Sequence, residues 1–294
     1  MAEVMEAACS TAALLRDGER RLRAVGIRPA RREAEWLLAH LLHHTLLELY
    51  LRETPVPAAA AEQFHAQIAN RASGIPLQYL VRETAFFGEP FTVAPGVFIP
   101  RPETEAVVAA ALERLRERQR CLCRPLRLLD LGTGSGCIAV TLARQLPACA
   151  VVGVEVTWEA LHIAQQNVQR HGLAAQVWLV QGRWADAISA GFDGIVSNPP
   201  YVPRVQVDRL PREVRHEPLV SLTGGDDGLQ ELRAVLMLAP RLLTSGGVLA
   251  LESGEEQVEP LQRLAGTLAW VKTAAPIFDL AGRPRGVIVT SHGD

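Results

Sequence analysis

The sequence predicts an α/β fold: a parallel sheet with helices on both faces, led by a small all-α domain. Three observations predict it. From Leu126 onward, apolar runs of strand length alternate with helix-length periodic segments, and a glycine-rich turn follows the first such run. Residues 10 to 72, by contrast, carry helical periodicity only. With 294 residues, 48% hydrophobic and 21% charged, the chain can bury a sizeable core and form more than one folding unit. The expected divisions are a helical bundle over 1–75, a linker over 76–96 and an α/β domain over 97–294.

In the leading domain Ala34, Leu37, Leu38, Leu41 and Leu42 fall on one stripe of a 3.6-residue period. Gly26, Pro29 and the Pro55-Val56-Pro57 break delimit that helix, and Ala58 to Asn70 form the next. His40, His43 and His44 have helix-compatible spacing but no acidic or Cys partner, so they read as a solvated helix end and no metal is expected. Thr84 to Val93, aromatic and β-branched around Gly88-Glu89-Pro90, predicts a connecting hairpin. Residues 111 to 120 read as a solvated charged helix face.

The α/β pattern then runs strand Leu126–Leu131, helix Cys137–Gln145, strand Ala150–Val154, helix Glu159–His171, and strands Gln176–Gln181 and Phe192–Ser197. Five cysteines, with Cys121-Leu122-Cys123 lacking metal-site or redox spacing, read as small buried residues or surface thiols in a reducing compartment. Glu3 and Glu6 stand where a secretory leader would be positive, so a cytoplasmic location is expected. A formal net charge of −2 gives no broad electrostatic case for nucleic acid or a membrane, and no apolar run approaches the roughly 20 residues of a span.

Gly132, Gly134 and Gly136 sit between an apolar strand and a helix, where glycine lets the backbone turn sharply and a ligand approach closely. A dinucleotide fingerprint needs another glycine where Cys137 stands. Asp130, just before the loop Gly132-Thr133-Gly134-Ser135-Gly136, suits a cation rather than a pyrophosphate. These residues favour a nucleoside ligand with a positively charged end, for which S-adenosyl-L-methionine is the candidate, with S-adenosyl-L-homocysteine as product. Glu155 ends the second strand at roughly the 20-residue offset where an acid meets ribose hydroxyls. Trp184 follows the third strand and is placed to stack on adenine.

The run Ser197-Asn198-Pro199-Pro200-Tyr201 ends the fourth strand, which topology puts beside the first, in the crevice where open α/β sheets bind ligands. The Asn198 side-chain oxygen and the Pro199 carbonyl can both accept from one planar NH2 group, the Tyr201 ring can cover its face, and the prolines fix the chain. Asn198, Pro199 and Tyr201 are therefore the expected catalytic groups. Asn198 also borders the cofactor, and Pro200 completes the substrate site.

The Asn-Pro-Pro-Tyr tetrad resembles that of class I methyltransferases acting on planar nitrogen. "VFIPRPETE" (97–105), "YLVRETAFFGEPF" (79–91) and "RHEPLVSLTGGDDGL" (215–229) resemble the release-factor glutamine methyltransferase family (PrmC/HemK) over nearly the whole chain. The resemblance implies a Rossmann-like domain with a seven-stranded, mostly parallel sheet. It also implies transfer from S-adenosylmethionine to the glutamine amide of the Gly-Gly-Gln loop in class 1 peptide chain release factors, without direct nucleic-acid contact. Arg183 stands where the family often has an acid beside adenine, and Glu155 where it more often has Asp. Arg101 and Glu103 are expected near the mouth of the site. The competing readings are a ribosomal-protein glutamine methyltransferase, a DNA adenine methyltransferase and a catalytically silent adaptor; the leading region has little Lys/Arg bias beyond "RPARR" to support the DNA reading.

Overall fold

The computed structural model describes residues 10–51, 55–122, 124–186, 188–189 and 191–293. Two compact units form, one running to Glu83 and taking in Pro211–His216, the other comprising Thr84–Leu210 and the chain from Glu217 onward.

The first unit is helical: α1 (Thr11–Ala24), α2 (Ala30–Leu41), α3 (Leu46–Leu51), α4 (Ala58–Ala72) and α5 (Leu77–Val81). The stripe on α2 buries Ala34, Leu37 and Leu38 completely against Leu15, Leu22, Phe64 and Ile68, while Leu41 and Leu42 at its end are partly covered. His40 and His43 are exposed, and no metal-binding cluster exists among the described residues. Within this unit Arg71 of α4 lies buried between Glu33 (2.6 Å) and Glu213 (2.6 Å), and also donates to the Ile75 carbonyl. Glu213 belongs to the stretch 211–216, so the chain leaves the second unit after Leu210, docks in the helical one and returns at Glu217.

The second unit opens with a hairpin, β1 (Glu83–Phe86) and β2 (Glu89–Thr92). Its two-residue turn, Phe87-Gly88, has positive φ at both positions (52° and 74°), matching the twist of the paired strands. Phe86 and Phe91 are fully buried in the main core. Then come α6 (Pro102–Cys121), β3 (Leu126–Leu131), α7 (Cys137–Gln145), β4 (Cys149–Glu155), α8 (Trp158–Arg170), β5 (Val177–Gln181) and β6 (Phe192–Ser197). After the short α9 (Leu219–Leu222) follow α10 (Gln230–Leu242), β7 (Leu243–Glu252), α11 (Val258–Gly266), β8 (Val271–Phe278) and β9 (Pro284–Ser291).

The seven-stranded sheet has the order β5-β4-β3-β6-β7-β9-β8 and is parallel except for the antiparallel β9. Its strands β3 and β6 are buried almost throughout, as a sheet covered on both faces requires. Strand order reverses at β3, so the carboxyl ends of β3, β4 and β6 meet at the switch point where ligands bind.

One expectation is corrected here. Residues 111–120 form the second half of α6, but Ala111, Leu112 and Leu115 are buried, and Arg118 hydrogen bonds to Thr244, Ser245, Gly246 and Asp193. A long guanidinium reaches the starts of the interior strands β6 and β7 where charge counting alone suggests solvent. Among the described residues no helix is long and apolar enough to cross a membrane.

Candidate active site

The glycine loop leaves β3 with Gly132, Gly134 and Gly136 all at positive φ (75°, 55° and 81°), a path that side chains with a Cβ rarely follow. A Cβ on Gly134 would have nothing nearer than 4.0 Å, so that face of the loop is open to a ligand. The Gly132 and Thr133 amides donate to the Val154 carbonyl, tying the loop to β4. On its other side Asn167 donates to the Ser135 carbonyl (2.8 Å) and joins the same loop to β2 through Thr92.

Asp130 is fully buried beneath this loop. One oxygen, Oδ2, accepts from the Thr133 hydroxyl and the Ala139 amide (3.0 Å), and Oδ1 has no partner. Burial pushes its pKa up to about 7, and the neighbouring Glu155 charge adds to the rise. A buried carboxylate oxygen without a partner needs a donor or a cation. Glu155, nearly buried at the end of β4, accepts at Oε1 from the Val156 and Thr157 amides and the Thr157 hydroxyl, and at Oε2 from the Gly134 amide (3.0 Å). It therefore braces the loop, and Oε2 keeps a lone pair for a further donor.

Trp184 stands at φ 49°, with its six-membered ring edge 3.7 Å from where a Gly132 Cβ would be and its indole N–H donating to Glu231 Oε2 (2.8 Å). Arg183 turns outward and pairs with the other Glu231 oxygen (3.3 Å), so an acid is present here, supplied by α10 rather than by the residue before Trp184.

Asn198 follows β6, its backbone carbonyl 4.0 Å from the Gly132 Cβ position, which sets the tetrad against the loop. The Ser197 hydroxyl donates to the Leu131 carbonyl (2.7 Å) and locks the two strand ends together. Pro199 is buried and Pro200 and Tyr201 are half-buried. Asn198 Nδ2 donates to the Thr104 hydroxyl (3.1 Å), and the Tyr201 hydroxyl donates to Glu252 (3.2 Å). Burial together with the Glu252 charge moves the Tyr201 phenol well above its ordinary range, so it stays a neutral donor.

The segment after the tetrad is held by a strap. Val202 bridges Thr223, and a Cβ on Gly224 would lie 2.7 Å from both the Pro200 carbonyl and Tyr201 Cα, so only glycine lets the strap lie flush on the tetrad. Gln257 caps the Tyr201 carbonyl (2.9 Å). Arg101 pairs with buried Glu217, which also accepts from the Ile99 amide (3.0 Å), so Arg101 braces the segment leading into α6. Glu103 faces Arg285 at 3.7 Å.

Asp130, the glycine loop, Glu155, Trp184 and the tetrad thus meet at one end of the sheet. Thr104, Glu231 and Glu252 are further members that arrive from α6, α10 and β7. Only Glu252 left a local signal, a carboxylate closing the apolar run Val248–Leu251.

Residues 13–81 match the PrmC N-terminal domain model and 91–213 the methyltransferase small domain model. The release factor glutamine methyltransferase of Moorella thermoacetica is 41% identical over 273 residues, 92% of this chain and 95% of its own. That of Chlorobaculum tepidum is 38% identical over 244 residues, 81% and 83% respectively. Among solved structures, the hMettl16 catalytic domain in complex with MAT2A 3'UTR hairpin 6 has a TM-score of 0.54 at 16% identity, covering 81% of this chain and 83% of its own. A methyltransferase from Pyrococcus furiosus has a TM-score of 0.50 at 21% identity, covering 71% and 92%. Those two share the fold alone. By its identity to the curated relatives over nearly its full length, the chain belongs to the release factor glutamine methyltransferase family.

Proposed function

We propose that this protein transfers a methyl group from S-adenosyl-L-methionine to the side-chain amide nitrogen of the glutamine in the Gly-Gly-Gln loop of class 1 peptide chain release factors. The observation that carries the reading is a carboxamide, Asn198, held by its nitrogen at the end of β6 beside the glycine loop, in a chain of this family.

The residues present suit the cofactor. Asp130 offers an unpartnered buried oxygen to a cationic amino group, the open face of Gly134 admits a ligand, and Glu155 Oε2 can accept from a ribose hydroxyl. Trp184, fixed by Glu231, offers an aromatic face to adenine. When bound, S-adenosylmethionine supplies an electrophilic methyl on a sulfonium.

The protein's own contribution is orientation and electrostatics. With Asn198 Nδ2 committed to Thr104, its Oδ1 is the acceptor that remains for a substrate N–H, and the Pro199 carbonyl is a second. An amide nitrogen is a poor nucleophile because its lone pair is delocalised. Two acceptors on its hydrogens favour the pyramidal form and stabilise the positive charge that develops on nitrogen, and one N–H proton then passes to solvent water, leaving the amide neutral. Glutamine methylation of a ribosomal protein and adenine methylation of DNA are not favoured, since the relatives matched over most of the chain are release factor glutamine methyltransferases.

The test is mass spectrometry of a purified class 1 release factor after incubation with the protein and S-adenosylmethionine. A methyl on the loop glutamine, absent with Asn198→Ala, is expected. An unmodified glutamine with a ribosomal protein or DNA modified in parallel would keep the chemistry and overturn the substrate.

A further inference from the structure

The loop that joins β8 to β9 carries exposed apolar side chains at the active-site end of the sheet. Strand pairing places it there. Ser197 of β6 pairs with Leu251 of β7, Glu252 with Gly286 of β9, and Gly286 with Ile277 of β8. Asn198, Glu252, Gly286 and Ile277 therefore form one row across β6, β7, β9 and β8, and the loop 279–283 extends beyond the far end of that row. With neighbouring strands about 4.8 Å apart, Ile277 lies about 14 Å from Asn198.

The loop is held from within. Asp279 accepts at Oδ1 from the Ala281 and Arg283 amides (both 2.9 Å), and at Oδ2 from Nε of Arg283 (3.3 Å) and of Arg285 (2.8 Å). The Asp279 amide donates to the Arg283 carbonyl and the Gly282 amide to the Asp279 carbonyl. Surface turns ordinarily place Gly, Asn, Asp or Ser at such a tip. This one presents Leu280, at 110% the most exposed large apolar side chain among the described residues, with Phe278 two positions earlier at 55%. Ile277 is buried in the main core, so Phe278, the next residue along the strand, points away from it. Arg283 is paired with Asp279, which leaves apolar surface as what the tip offers.

Size decides what covers it. A specific protein partner takes about 800 Å² on each side, a disc of about 16 Å radius. Centred on Asn198 such a footprint reaches the hairpin, whereas a three-residue Gly-Gly-Gln tip cannot fill it. We propose that the β8–β9 loop is a docking element for the protein substrate: Leu280 and Phe278 seat against an apolar surface of the release factor beside the loop that presents the glutamine. This rests on the glutamine-methyltransferase reading above. An anchor already fixed in a hydrogen-bonded loop loses little freedom on binding, so few contacts suffice for affinity. Three strands from the acceptor amide, the tip acts on binding and not on the chemical step.

The experiment compares wild type with Leu280→Ser, Phe278→Ser, Leu280→Met and, as a control, Met237→Ser, which truncates an exposed apolar side chain of α10. Initial rates are measured with a class 1 release factor and S-adenosylmethionine, and release-factor binding by calorimetry on protein loaded with S-adenosylhomocysteine. Leu280→Ser is expected to raise both KM and Kd for the release factor about tenfold and Phe278→Ser about threefold, with kcat and cofactor Kd within about twofold. Leu280→Met should stay within about threefold of wild type, and Met237→Ser should match it. A photo-crosslinking benzoylphenylalanine at position 280, but not at 237, is expected to capture the purified release factor. Unchanged KM and Kd in Leu280→Ser, an equal loss in Met237→Ser, or no capture from position 280 would overturn the docking element while leaving the reaction in place. Wild type that neither binds nor methylates the release factor would overturn the substrate reading and this occupant together.

Discussion

Asn198 has one end of its carboxamide tied to Thr104 and the other available, while Gly134 contributes only backbone and open space. Substitutions at the two should therefore fail differently. Asn198→Ala removes an acceptor that matters when charge develops on the amide nitrogen; kcat is expected to fall about 100-fold, with the cofactor Kd from calorimetry changed by less than about twofold. Gly134→Val forces a β-branched residue to φ 55° and fills the face open to a ligand, so cofactor binding itself is expected to disappear. Equal loss of cofactor affinity in both would remove the division of roles. At this scale the glycine loop, Asp130, Glu155 and the tetrad were legible because each is contiguous with a strand end. The partners that orient them were not: Thr104, Glu231 and Glu252 come from elements far along the chain, and a single sequence carries no distance between them. Arg183 illustrates the gap: the carboxylate beside it, Glu231, comes from α10 and holds both Arg183 and the Trp184 indole.

Among the elements, strands β3 and β6 and helix α7 match their expected limits because buried parallel strands and a glycine-started helix announce themselves by composition and period. The strap after α9 does not, as it has no period. Its glycines are explained by what they touch, and Gly224→Ala would drive a methyl to 2.7 Å from the Pro200 carbonyl. That is closer than Cβ contacts allow, so the tetrad must shift; kcat/KM for the protein substrate is expected to fall at least about tenfold while cofactor binding persists. The stretch 211–216 was equally illegible, because a six-residue excursion into the helical unit has no local signature. Its anchor is Arg71, buried between Glu33 and Glu213. Arg71→Ala leaves Glu33 without its partner and is expected to cost about 3 kcal/mol in the helical unit, read as a lower urea midpoint. An unchanged midpoint would mean that the ion pairs contribute nothing net.

Across the whole molecule, two buried acids at the site, Asp130 and Glu252, both sit up at about 7, chiefly because each is completely buried, with the Glu155 charge adding to the first rise and Glu103 to the second. Their ordinary values lie near 4, so between about pH 4 and 7 the folded chain holds protons that the unfolded chain releases. Each group therefore contributes stability that is complete below about pH 4 and is lost as pH rises toward 7. A cation placed on Asp130 reverses this for that group, because it favours the carboxylate. The cofactor must then displace the Asp130 proton at pH 6 but meets an ionised carboxylate more often at pH 7.5, so its affinity is expected to be about eightfold tighter at the higher pH. Glu155 is held by four donors, and the Asp130 oxygen beneath the loop is the one left without a partner. Calorimetry in two buffers of different ionisation enthalpy should show about one proton released per cofactor bound at pH 6. Asp130→Asn should bind weakly at both pH values and release none. If wild-type affinity were the same at pH 6 and 7.5, the cation would have to rest elsewhere, and the unpartnered Asp130 oxygen would need another donor.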